Sequence, residues 1–145
     1  MPLAAGETVR RFLERTLLPL LQDLPTSRRG AVVRLLLTEG NRFPRLAEVY
    51  YRKVIAPGLA IFGSLAKHAV TTGELSSDAL VRFPQLMIAP AILSIIWSGL
   101  FERFGHLDSQ EMLRAYFNQV FSAATVVQKT LKAKRRSVAN AEAKA

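Results

Sequence analysis

The sequence contains no cysteine. That excludes a thiolate zinc site, a catalytic thiol and a disulfide framework, and it fits a reducing compartment. Histidine is scarce too. His68 and His106 stand far apart, outside any H-x-x-x-H or H-x-x-E spacing, so no imidazole metal site is expected. No G-x-S-x-G elbow is present, and Ser94 and Ser98 lie in an apolar stretch without a nearby base. There is no Gly-rich phosphate loop, and the carboxylates Asp108 and Glu111 have a helix-capping explanation. The chain is therefore read as a non-enzyme without a cofactor. The segment MPLAAGETVRRF places charge ahead of any long apolar stretch, unlike a secretory signal, and a cytoplasmic location is expected.

What the chain does have is apolar material: half of its 145 residues are hydrophobic. A domain of this size buries about 68–70% of the surface its unfolded form exposes, so it needs no metal or disulfide staple. The net charge of +9 suggests a nucleic-acid partner until it is located. From Lys129 onward six cations (Lys129, Lys132, Lys134, Arg135, Arg136, Lys144) face only Glu142, a balance of +5 that leaves +4 for the body. Residues 1–131 are read as one helical domain and 132–145 as a basic, flexible tail.

Breakers divide the sequence into five helical segments. Leu13, Leu17, Leu20, Leu21 and Leu24 recur at helical steps and predict a first helix over 7–24, kinked at Pro19. Thr26 or Ser27 caps a second helix, which stops at Gly40-Asn41. Pro44 suits the first position of a third, in which Pro57-Gly58 is read as a kink in one long helix, with two separate helices the alternative. Ser76 or Ser77, with Asp78, opens a fourth helix running to about Phe104. The run D-S-Q-E at 108–111 caps a fifth, striped by Leu113, Phe117, Val120, Ala124, Val127 and Leu131.

Residues 83–101, FPQLMIAPAILSIIWSGLF, carry no charge. Their length approaches that of a membrane span, but Pro84 and Pro90 and the tight flanking charges Arg82, Glu102 and Arg103 speak against one. A helix apolar all round must be covered all round. With the fifth-helix stripe also needing cover, a two-fold homodimer through the fourth and fifth helices is expected. Pro90, Ser94 and Ser98 would supply its small-residue strip, and Leu113, Phe117, Val120, Ala124 and Val127 its seam.

Residues 35–75 carry a leucine-rich helix ending near Glu39, then Phe43-Pro44, an amphipathic helix with Pro57, and Gly73-Glu74-Leu75. With PQLMIAPAILSIIWSGLF after it, this stretch resembles the C-terminal domain of TetR/AcrR-type transcriptional regulators, over roughly residues 8–125. The resemblance implies an all-α bundle of about five helices around an apolar effector pocket. It further implies that the last two helices form a four-helix dimer interface. The family's helix-turn-helix has no counterpart in this chain, so DNA contact would require a domain not present here.

Tyr50, Tyr51, Phe62, Leu65, Met87 and Trp97 are candidates to line such a pocket, with tyrosine hydroxyls, the Trp97 N–H and His68 as orienting polar groups. Aromatics at helical spacing serve equally as plain core. The expected effector is a small apolar or aromatic molecule. One competing reading is a small nucleic-acid-binding protein using Arg10, Arg11, Arg28, Arg29 and the tail, although its aromatics do not sit beside the basic residues. A membrane-associated helical protein is the third, and no membrane partner is expected.

Overall fold

The computed structural model describes residues 3–144, apart from the side chains of residues 122–128. Among the described residues all regular structure is helical. Helix α1 (Val9–Asp23) starts at Thr8, whose side chain accepts from the Arg11 amide at 3.2 Å. Pro19 lies inside it without ending it. Its buried face is Val9, Phe12, Leu13 and Leu21.

Helix α2 (Arg28–Glu39) begins at Ser27, whose Oγ accepts from the Gly30 amide at 3.2 Å. The corner between α1 and α2 is tight: a Cβ on Gly30 would lie 1.8 Å from the Leu24 carbonyl oxygen. Only glycine permits that approach. Arg34 Nη1 donates to the Pro25 carbonyl at 3.0 Å and ties the corner down.

One continuous 28-residue helix covers Pro44–Thr71. It consists of α3 (Pro44–Tyr50), a π turn (Tyr51–Ile55) and α4 (Ala56–Thr71), so the one-helix reading of this segment holds. The π turn immediately precedes Pro57. The Ala56 amide donates to the Tyr51 carbonyl, five residues back, and this wider register makes room for the proline ring. Gly73, at φ +79°, ends the helix in the left-handed region that glycine tolerates.

The single helix expected over 76–104 is instead three pieces: α5 (Ala79–Arg82), a 3-10 turn (Pro84–Met87) and α6 (Ala89–Leu100). Phe83 precedes Pro84 and sits at φ −127°, ψ 69°, outside the helical region that a residue before proline avoids. Pro90 falls in the first turn of α6, where its missing N–H leaves no intrahelical bond unmade. The charge-free run is thus interrupted before α6 begins. Its one helix, α6, has 12 residues and spans about 18 Å, well short of a bilayer core.

Helix α7 (Ser109–Glu142) has 34 residues. Asp108 caps it, with Oδ1 accepting from the Gln110 and Glu111 amides at 3.0 Å each. Those amides, Glu111's first, hold the Asp108 carboxyl below the usual carboxylate range. The basic segment expected as a tail from residue 132 is helical as far as Glu142. Alanine, lysine, arginine and glutamate there are good helix formers, and no glycine or proline interrupts them.

The core lies where α7 packs along α1, with α4, α5 and α6 completing it. Phe117 and Leu113, at 0% and 1% exposure, are its centre, and Phe117 meets Phe121 edge to face at 5.8 Å. Gln110 Nε2 donates to the Leu18 carbonyl at 3.2 Å, and Arg10 reaches Asn118, so the pair is also pinned at its polar margins. The first part of the stripe on the fifth predicted helix, Leu113 and Phe117, is buried in the core that α7 forms with α1 of the same chain, while Leu131 is 55% exposed. Leu113 and Phe117, and Pro90 and Ser94 on α6, are already buried and offer nothing for a second copy to cover. The Ser94 hydroxyl donates to the Pro90 carbonyl at 2.8 Å. Ser98 and Val120 are half-buried, while Ala124 and Val127 lie outside the residues with described side chains.

Candidate functional site

A cavity of about 310 Å³ opens between α1, α2, the long helix and α6. Leu17, Leu20, Leu21 and Leu24 form its α1 wall: the leucine stripe that defines α1 in the sequence continues past the core into the cavity. Helix α2 contributes Arg29 and Val33. Tyr50, Val54, Ile55, Gly58, Leu59 and Phe62 come from the long helix, and Met87, Ile88, Ala91, Ile92 and Ile95 close the opposite side.

The local structure explains why space remains here. The π turn and Pro57 occupy the wall between Tyr50 and Gly58, and π turns widen the helical register at that point. At Gly58 a Cβ would meet nothing within 4 Å, so bare backbone borders the open volume. Across from it, the 3-10 turn delivers Met87, buried to 4% exposure, and leads into α6. Nearly every lining residue is apolar; the exceptions are Arg29, which is exposed, and Tyr50, which is half-buried. A volume near 310 Å³ is at the lower end of small-molecule pockets.

The structure brings together three of the predicted pocket residues, Tyr50, Phe62 and Met87. Four others stand elsewhere. Tyr51 is one position round the helix and 55% exposed. Leu65 packs beside Ala66, Leu75 and Leu80 on the core side of α4. His68 is on the solvent face of α4. Trp97 is at the far end of α6, where its Nε1 donates to the Gly105 carbonyl at 2.7 Å and its ring leans on Phe101 at 5.4 Å. It fastens the end of α6 to the following loop.

Arg29 escaped the pocket reading because a cation beside Arg28 after a turn looks like a solvated surface. The signal that finds it is helical position: Arg29 lies four residues before Val33, on the side of α2 that borders the cavity. No family model, curated protein or solved structure matches the chain. Among the described residues there is also no cluster of three or more histidine, aspartate or glutamate side chains placed to hold a metal ion.

Several large apolar side chains are exposed elsewhere on the surface. Leu93, Leu100, Phe101 and Phe104 are exposed on and just after α6, Phe104 to 75%. Tyr51, Val54 and Ile61 are exposed on the long helix. That helix is long and apolar enough to cross a membrane by length and composition, and 11% of its most apolar window is buried.

Proposed function

We propose that this chain is the effector-sensing and dimerising part of a TetR-like transcriptional regulator, taking a small apolar molecule into the cavity. The observation that carries the reading is the cavity itself, walled by apolar side chains from four elements and bordered by Gly58 and a π turn. The element order also supports it: the Pro44–Thr71 helix with its internal proline, the Gly73-Glu74-Leu75 turn and the α6–α7 pair follow the order that the family resemblance implies. DNA contact would come from a separate helix-turn-helix domain.

Homodimer formation belongs to the same proposal, by a different surface from the buried stripe. The exposed set Leu93, Leu100, Phe101 and Phe104 on and after α6 gives a second copy an apolar face to cover. A cytoplasmic protein of this kind would hold that face against its twin.

Native mass spectrometry tests both halves. The dimer mass should dominate at micromolar concentration, and a small-molecule adduct should appear when a medium-chain alcohol is added. In Gly58→Leu, which fills the cavity from its open wall, the adduct should disappear while the dimer remains. A monomer without an adduct would refute the proposal.

One observation favours a second reading, nucleic-acid binding. Lys129, Lys132, Lys134, Arg135 and Arg136 are all exposed on the outer length of α7. Its signature would be binding to duplex DNA that weakens steeply with salt and is lost when residues 132–136 are neutralised.

A further inference from the structure

We infer that the cavity takes an apolar molecule bearing one anionic head group, with Arg29 as its counter-charge. This deepens the reading of the cavity as a ligand pocket and rests on it. Arg29 is the one charged side chain in an otherwise apolar wall. Arg34, one turn further along α2, is engaged on the Pro25 carbonyl, and Arg28 does not line the cavity. Among the described residues no carboxylate pairs with Arg29.

The physical consequence depends on what fills the space. Arg29 is an exposed residue, so a wholly apolar occupant leaves its guanidinium in water and gains nothing from it. A carboxylate meets the guanidinium with charge-assisted hydrogen bonds and leaves its chain to the leucine and isoleucine walls. Arg29 also lies in the first turn of α2, where the helix dipole favours a negative charge. The Tyr50 hydroxyl, the other polar group of the lining, can donate a further bond. The volume suits one medium-length chain rather than a two-chain bilayer lipid. The ligand class is therefore a single-chain carboxylate of medium length.

The test is calorimetric titration of decanoate and decanol into the full chain, as wild type, Arg29→Gln and Gly58→Leu. Decanoate should bind the wild type roughly tenfold or more tightly than decanol, because a hydrogen bond to a charged group is at stake. Arg29→Gln should remove that advantage by weakening decanoate binding, with decanol binding affected far less. Gly58→Leu should weaken both ligands. Equal affinity for the two, or an Arg29→Gln variant that still prefers decanoate, overturns the head-group assignment while the pocket reading stands. If neither ligand binds, or if Gly58→Leu is without effect, both fall. Binding to anionic phospholipid vesicles without binding of free decanoate would likewise overturn the proposal. Helical circular dichroism of each variant, matched to wild type, separates loss of binding from loss of fold.

Discussion

Glu74 closes the N-terminus of α1 from the far end of α4: its Oε1 accepts from the Val9 amide at 3.0 Å, across 65 residues of sequence. The second oxygen, Oε2, accepts from the Arg10 amide at 3.2 Å. Helix α1 has no acidic residue in its own first turn, so Glu74 supplies the negative charge that its unpaired amides attract. Next to it, Gly73 turns the chain and Leu75 is buried at 5% exposure. The Gly-Glu-Leu triplet is thus a joint between α4 and α1, which in turn sets the α1 wall of the cavity.

Removing that joint should be costly. Glu74→Ala should lower stability by about 1–2 kcal/mol, the usual range for losing a helix N-terminal acceptor. Glu74→Gln, which keeps one acceptor and loses the charge, should cost less than half as much. Urea denaturation midpoints of the two variants check this.

Two glycine-to-alanine changes should act in opposite directions. At Gly30 the new methyl meets the Leu24 carbonyl oxygen, and displacement of the α1–α2 corner should cost about 1–3 kcal/mol, typical of overpacking. At Gly63, inside α4, a Cβ meets nothing within 4 Å, and the better helix propensity of alanine should stabilise by roughly 0.5–1 kcal/mol. Thermal unfolding of the pair should bracket the wild type.

Phe117 should be the most sensitive position on α7. Its side chain is fully buried between α1 and α7, and Phe117→Ala should lose about 3–5 kcal/mol, the range for emptying a core aromatic site. The same truncation at Phe104, 75% exposed, should leave the stability of the monomer nearly unchanged and weaken dimer formation instead. Analytical ultracentrifugation and denaturation together distinguish the two effects.

Acid sensitivity should pass in part through Asp108. Its carboxyl is held low in the folded state by the Glu111 and Gln110 amides, so the unfolded chain takes up its proton at higher pH than the folded one does. The stabilisation is therefore complete above the unfolded value and is lost as pH falls through the folded one. Asp108→Asn should flatten this part of the acid limb of a stability-versus-pH profile.

Local signals were the legible ones. Ser27, Pro44 and Asp108 stand in the sequence at the helix starts they mark in the structure, because capping depends on a few adjacent residues. The apolar stripes of α1 and α7 were equally plain, but not what each meets. Periodicity shows that Leu113 and Phe117 need a partner helix without saying whether it belongs to the same chain. The charge-free run misled because absence of charge conceals a break, whereas Phe83-Pro84 already contained it.

The site was less legible than the fold. Tyr50, Phe62 and Met87 reach the cavity, while Tyr51, Leu65, His68 and Trp97 do not. Tyr50 and Tyr51 differ by one residue and point about 100° apart round the helix, a distinction composition cannot make. Arg29 was seen only as part of a basic surface, since its place in the wall depends on the long-range packing of α2 against α6.

The most direct measurement is a methyl-selective NMR titration of the chain with decanol. Binding in the cavity predicts saturable shifts of the Met87, Ile92 and Ile95 methyls, with Leu131 and Val138 on the outer length of α7 unmoved. Shifts confined to Leu131, Val138 and other exposed methyls, or no shift at all, would contradict it.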